Sequence, residues 1–225
     1  MFALTKAVRP LSLFRVARPA FISSNIKDLE RQLSTNLNTE FEGEQLDSER
    51  ESYITKFLKD NKWNMEAADN STKIVLTKKE AGHDIKILYE AKLPEGQNEE
   101  EEEGAQKNEE GADNQNYTEF LVLVDKNKPH KMLLDVIAVD GEINLNGIVF
   151  SAEADKLADR KNMETYPYNG PSFETLDENL QAKISKYLAG LGINEELVHF
   201  VEESAIHHEA KLYKNFLNDF KNFVE

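Results

Sequence analysis

The sequence predicts an α+β fold in which a run of consecutive antiparallel strands is flanked by helices. Residues 63–152 contain six short β-rich runs separated by turn formers, with no helical segment between them. They therefore read as a meander rather than a parallel βαβ sheet. Segments on either side, 44–61 and 175–225, carry apolar residues at helical spacing. Asp140-Gly141, between MLLDVIAV and EINLNGIVF, marks a hairpin, because both residues tolerate the positive φ of a type I′ turn.

Taken in order, residues 1–22 hold Lys6, Arg9, Arg15 and Arg18 and no acid. Arg9, Arg15 and Arg18 interrupt the apolar run a secretory signal would need, so this leader reads as a mitochondrial transit peptide, with cleavage expected between residues 18 and 35. Residues 23–43 are polar and read as a flexible linker. The segment 44–61 has Leu46, Tyr53, Phe57 and Leu58 on one helical stripe, with Ile54 beside it. The expected strands are Trp63–Ala67, Lys73–Lys79, Asp84–Leu93, Tyr117–Asp125, Lys131–Val139 and Glu142–Ala152. Asp69-Asn70, Gly82 and Pro129 separate them, and Gly147 suggests a bulge or a split in the last one.

Residues 94–116 interrupt the meander. Nine acids stand against the single Lys107 between Glu95 and Asp113, with almost no apolar residue. Such a segment cannot bury enough surface to offset its ordering entropy, so a disordered acidic loop is expected. Beyond the strands, Thr175-Leu-Asp-Glu178 matches a capping box opening a helix to about Ala189, with Gly190 or Gly192 ending it. Asn194 is the expected cap of a last helix, with Glu195 and Glu196 in its first turn. That helix carries Ile206, Tyr213 and Phe220, and also Phe216 and Phe223, at seven-residue spacing, which suits packing against another helix. The 44–61 helix, of the same or a neighbouring chain, is the expected partner. Residues 44–225 thus form one domain.

Charge and composition exclude several functions. The chain has 27 basic and 42 acidic residues, a net charge of −15; without residues 1–22 the balance falls to −19. Duplex DNA binding is disfavoured, since phosphate affinity comes chiefly from Lys and Arg. Basic proteins, such as ribosomal or RNA-binding proteins, are the partners such a charge attracts. The absence of cysteine excludes disulfides, thiolate nucleophiles and Cys-based metal sites. No apolar run approaches the roughly 18 residues that span a bilayer. Neither a Gly-rich phosphate loop nor a nucleophile elbow occurs, and no catalytic residue or cofactor site is nominated. His207-His208-Glu209, with Glu203 one turn earlier, is the nearest approach to a metal site. Adjacent histidines on a helix diverge by about 100°, so a solvated helix face is expected there instead.

The partner-binding candidates are therefore Glu99, Glu100, Glu101, Glu102, Glu103, Glu109, Glu110 and Asp113. The oligomer-packing candidates are Tyr53, Phe57, Tyr213, Phe216, Phe220 and Phe223.

The element order, together with Tyr168-Asn-Gly-Pro171, Phe173, Leu176-Asp-Glu178, Leu180-Gln181, Tyr187-Leu188, Gly192-Ile193, Phe200 and Tyr213…Phe216-Leu217…Phe220…Phe223-Val224, resembles the mitochondrial acidic matrix protein family. This family is also called the mitochondrial glycoprotein family, and its animal members are known as receptors for the globular heads of a complement component. The similarity spans Gln45–Glu225. It implies a helix, about seven antiparallel strands, two C-terminal helices and a homotrimeric ring. It also implies a non-enzymatic matrix protein supporting mitochondrial translation, ribosome assembly and oxidative phosphorylation. Leu191 and Leu212 depart from the arginine and the acid that many relatives carry at those places. The alternative function is a regulatory binding subunit of a matrix or respiratory-chain oxidoreductase.

Overall fold

Six strands pair in sequence order, β1-β2-β3-β4-β5-β6, with every neighbouring pair antiparallel. They are β1 (Asn64–Ala67), β2 (Lys73–Glu80), β3 (His83–Glu90), β4 (Tyr117–Asp125), β5 (Lys131–Val139) and β6 (Glu142–Ser151). The computed structural model describes residues 26–91, 117–139, 142–158, 168 and 170–225. The acidic run 94–116 and the Asp140-Gly141 turn lie outside the described residues. The meander expected from the sequence is present, but with six strands among the described residues rather than about seven.

Alternation along the strands separates two apolar faces, as the period of two requires. On one face Ile74, Leu76, Ile87, Phe120, Val122 and Val136 are fully buried. They pack under α2 (Ser48–Asn61), α4 (Glu178–Gly190) and α5 (Glu195–Val224), which together make the main core. The opposite face has a smaller cluster of Leu88, Leu121, Leu123, Leu133 and Val149. The single turn α3 (Ala154–Leu157) contributes Ala154 and Leu157 to it.

The β2–β3 hairpin turns on Ala81 and Gly82, at φ 49° and 76°, and Glu80 pairs directly with His83. Two positive-φ residues in a two-residue loop make this the type I′ connection that matches strand twist. In β6 the pairing with β5 shifts, so that Asp135 faces Gly147 and Val136 faces Leu145. Asn146 is the extra residue of a bulge, and its Nδ2 donates to Asp135 Oδ2 at 3.0 Å. The bulge reading of Gly147 is the one realised. Gly170 closes in on this edge strand at φ 71°, where a Cβ would meet the Ile148 carbonyl at 3.3 Å. Glycine answers both constraints at that position.

Three expectations require correction. Residues 26–43 form an 18-residue helix, α1 (Ile26–Gly43), and not a flexible linker. Leu37 and Phe41 repeat the four-residue spacing of Leu29 and Leu33; Leu37 is buried, and Lys214 Nζ lies 4.9 Å from the Phe41 ring centroid. The partner of the C-terminal half of α5 is therefore α1, while α2 packs beside its N-terminal half. At α4 the cap is Asp177, whose carboxylate accepts from the Asn179 and Leu180 backbone N–H groups at 3.0 and 3.3 Å. Thr175 instead donates to Ser172 O at 2.7 Å from inside a 3-10 turn, so no capping box forms. The other two ends follow the sequence. Gly192 stands at φ 85° just past α4, and Asn194 Oδ1 accepts from Leu197 N at 3.0 Å.

Candidate functional site

The 30 residues of α5 divide into two halves with different surroundings. In the first, Leu197, Val198, Phe200 and Val201 are fully buried. Phe57 of α2 stacks on Phe200 with ring centroids 4.2 Å apart and an 18° interplanar angle. Such a pair adds about 0.5–1.5 kcal/mol beyond its burial. Tyr53 lies over His199 at 5.2 Å and beside Phe57 at 6.3 Å. Arg50 Nε donates to Glu203 Oε2 at 2.5 Å, tying α2 to α5 in a half-buried position. Phe57, expected at an oligomer seam, is thus 5% exposed and belongs to the chain's own core. Tyr53 packs beside it. The cause is simple: the 44–61 segment has its partner within the chain.

The second half of α5 presents a continuous aromatic strip. Tyr213 and Phe216 are 6.5 Å apart, and Phe216 and Phe220 are 5.9 Å apart. Phe216 is 57% and Phe223 86% exposed, while Leu217 beneath them is buried. A groove of about 540 Å³ runs between this strip and the β1–β2 turn, with Leu212, Phe220 and Phe223 in its wall and Asp69 and Asp219 at its margin. Tyr213 also donates to Glu40 Oε1 of α1 at 3.4 Å, and Lys214 Nζ donates to Glu44 O at 3.0 Å. Four of the six packing candidates, Tyr213, Phe216, Phe220 and Phe223, therefore share one surface. Tyr53 and Phe57 stand well over a helical turn away, near the other end of α5.

The histidine pair is not a solvated face. His207 and His208 are 4% and 5% exposed. The 100° divergence that separates them aims His208 at the β1–β2 turn, where its Nε2–H donates to Ser71 O at 2.8 Å. Neither ring nitrogen of His207 has a hydrogen-bond partner. Burial, aided by the Lys211 charge, pushes the His207 pKa below its ordinary value. Two residues on, burial and then the Glu44 charge push the Glu209 carboxyl up. Among the described residues no three His, Cys, Asp or Glu side chains are grouped to hold a metal ion. Among the same residues no helix is long and apolar enough to cross a membrane.

Buried polar chemistry elsewhere serves the core. Tyr89 Oη lies 2.7 Å from Ser204 Oγ, which itself donates to Val201 O at 3.1 Å. Burial pushes the Tyr89 phenol far above its ordinary pKa. His83 Nδ1 lies 2.9 Å from Ala81 O, and Nε2 faces Tyr187 Oη at 2.9 Å. With Nδ1 donating to the carbonyl, Nε2 accepts from the phenol. The acidic candidates Glu99, Glu100, Glu101, Glu102, Glu103, Glu109, Glu110 and Asp113 all lie outside the described residues.

Sequence reasoning missed α1 although its signal was present: Ile26, Leu29, Leu33, Leu37 and Phe41 follow helical spacing. It also missed a groove between β6, α4 and the start of α5, lined by Glu142, Leu145, Phe173, Leu188 and Glu195. That groove joins residues far apart in the chain, and no local pattern announces it.

Comparison with known proteins agrees with this architecture. A family profile described as mitochondrial glycoprotein matches residues 33–224. The mitochondrial acidic protein mam33 of Schizosaccharomyces pombe is 31% identical over 98 residues, which cover 42% of this chain and 36% of that protein. The chain thus aligns with about a third of that relative's length. The p22 protein of Trypanosoma brucei has a similar structure, with TM-score 0.63 at 17% identity, covering 88% of this chain and 100% of that one. A Leishmania major protein, described as a sequence homologue of human p32, gives TM-score 0.62 at 21% identity, covering 88% and 99%. The family match extends from within α1 to the last turn of α5, so the chain belongs to the mitochondrial glycoprotein family.

Proposed function

We propose that this protein is a non-enzymatic acidic adaptor of the mitochondrial matrix, which holds basic proteins and keeps them soluble during assembly. Mitochondrial ribosomal and RNA-binding proteins are the partners whose charge fits. Through them the protein supports mitochondrial translation, ribosome assembly and, downstream, oxidative phosphorylation. The observation that carries this reading is charge: residues 23–225 hold 23 basic against 42 acidic residues, in a family of mitochondrial proteins. A surplus of that size steers cationic surfaces over distances comparable to the Debye length of about 8–10 Å and weakens as salt is added. The segment with Glu99–Glu103, Glu109, Glu110 and Asp113 concentrates it.

The working unit we propose is a homotrimeric ring. Its support is the aromatic strip of Tyr213, Phe216, Phe220 and Phe223, in which Phe216 and Phe223 stay exposed on a helix that has already packed its buried side against α1 and the sheet.

Deleting residues 99–113 tests the electrostatic part. Capture of basic proteins from a mitochondrial lysate falls at low salt, and ribosomal proteins dominate what the intact chain retains. Unchanged capture removes the acidic segment from the mechanism. A dehydrogenase as the principal retained protein points to regulation of an oxidoreductase instead.

A further inference from the structure

The groove between β6, α4 and the start of α5 has a volume of about 580 Å³. Its floor is apolar: Leu145, Leu188 and Ile193 are the edge of the main core, and Ile143 and Phe173 pack against that core half-buried. Its rim is acidic: Glu142, Glu195 and Glu196 line it, all three exposed. No lysine or arginine is among the described residues that line it.

Glu195 and Glu196 have an ordinary role in the first turn of α5, where carboxylates meet the positive end of the helix dipole. Asn194 already caps that end, and Glu142 belongs to a strand that has no such need. The rim therefore carries more negative charge than the helix requires. It surrounds an apolar surface large enough for a bound group, since ligand sites run from about 300 to 1,000 Å³.

We propose that this groove grips the basic partners of the adaptor reading. It takes a short segment in which an apolar side chain is flanked by lysines or arginines. The apolar group covers Leu145 and Phe173, and the cations reach Glu142, Glu195 and Glu196. Charge complementarity selects this occupant. An anionic ligand, or an acidic stretch of a second copy, would meet repulsion from the three carboxylates. A purely apolar ligand would desolvate the rim without a partner for it. The proposal rests on the adaptor reading and adds where and how that reading works.

The probe is a fluorescein-labelled peptide with two adjacent leucines between lysine pairs, followed by anisotropy at low salt with the full chain. Ala189→Trp fills the groove from an exposed position on α4, and Glu142→Gln with Glu195→Gln strips the rim. Each variant weakens binding about ten-fold, a loss of about one contact's free energy. Glu66→Gln with Glu90→Gln, removing equal charge on β1 and β3, changes it less than about two-fold, as salt-screened distant charges should. Replacing the peptide leucines by serine costs about ten-fold on the native chain and little on Ala189→Trp. Circular dichroism confirms that each variant is folded. Equal affinity for the native chain and Ala189→Trp overturns the groove alone. Absence of any binding to the native chain at low salt overturns the groove and the adaptor reading together.

Discussion

At His207 an imidazole sits in the packed side of α5 with neither nitrogen bonded, facing Arg50 and Glu51 of α2, the Asp47 that caps α2, and Lys211 of its own helix. Burial is the largest influence on it and favours the neutral ring. The folded pKa is thus depressed below the ordinary value of about 6.5, so the unfolded chain takes up the proton first. Stability on this account is intact above about pH 6.5 and is lost as pH falls toward the lower folded value. Glu209 has the opposite sign: its raised carboxyl pKa makes the folded chain the better proton acceptor, in a more acidic range. A comparison with His207→Leu isolates the imidazole, because Glu209 is common to both proteins. Urea unfolding at about pH 7.5 and 5.5 gives a midpoint that falls more for the native chain than for the variant. Parallel falls would show that His207 is not the titrating group.

Among the elements, caps and pairings decide where helices begin; sequence reading had the Gly192 and Asn194 ends right, started α2 four residues early, misplaced the cap of α4 and missed α1. TLDE has the letters of a capping box, yet Asp177 within it is itself a strong cap, and a carboxylate nearer the first free N–H groups wins. Asp177→Ala therefore costs about 1 kcal/mol, whereas Thr175→Ala loses only an exposed bond to Ser172 O and costs about half that or less. Thermal unfolding of the two variants orders them; a larger loss for Thr175→Ala would restore the capping box. The strands were legible because alternation, β-branched residues and turn formers all act within a few residues. Every one of the six was placed within three residues of its observed end. The helix α1 was overlooked because its many polar residues masked a one-sided apolar row, of which only Leu37 is buried. His207 and His208 read as surface because their burial comes from the β1–β2 turn and from α2, over a hundred residues earlier in the sequence. The groove at α4 was invisible for the same reason.

Across the whole molecule the apolar residues fall into those the chain buries and those it leaves for another surface. Phe57 is of the first kind, so Phe57→Ala creates a cavity against Phe200 and costs about 3–5 kcal/mol of monomer stability. Phe216 and Phe223 are of the second, and Ile26, Leu29 and Leu33 of α1 are likewise exposed on the neighbouring helix. An apolar strip of this extent, on a chain whose net charge opposes nonspecific collapse, needs a specific contact to cover it. A closed ring supplies identical contacts to every copy. Phe216→Ser with Phe223→Ser leaves helix content and unfolding temperature of the isolated chain nearly unchanged, because neither ring is in the core. On the ring proposed above it lowers the mass in solution by roughly three-fold. Phe57→Ala does the reverse, lowering the unfolding temperature while folded chains still assemble. Sedimentation at matched protein concentration reads both effects. A native chain that sediments as a monomer, or a double variant that keeps the native mass, removes the seam from α5.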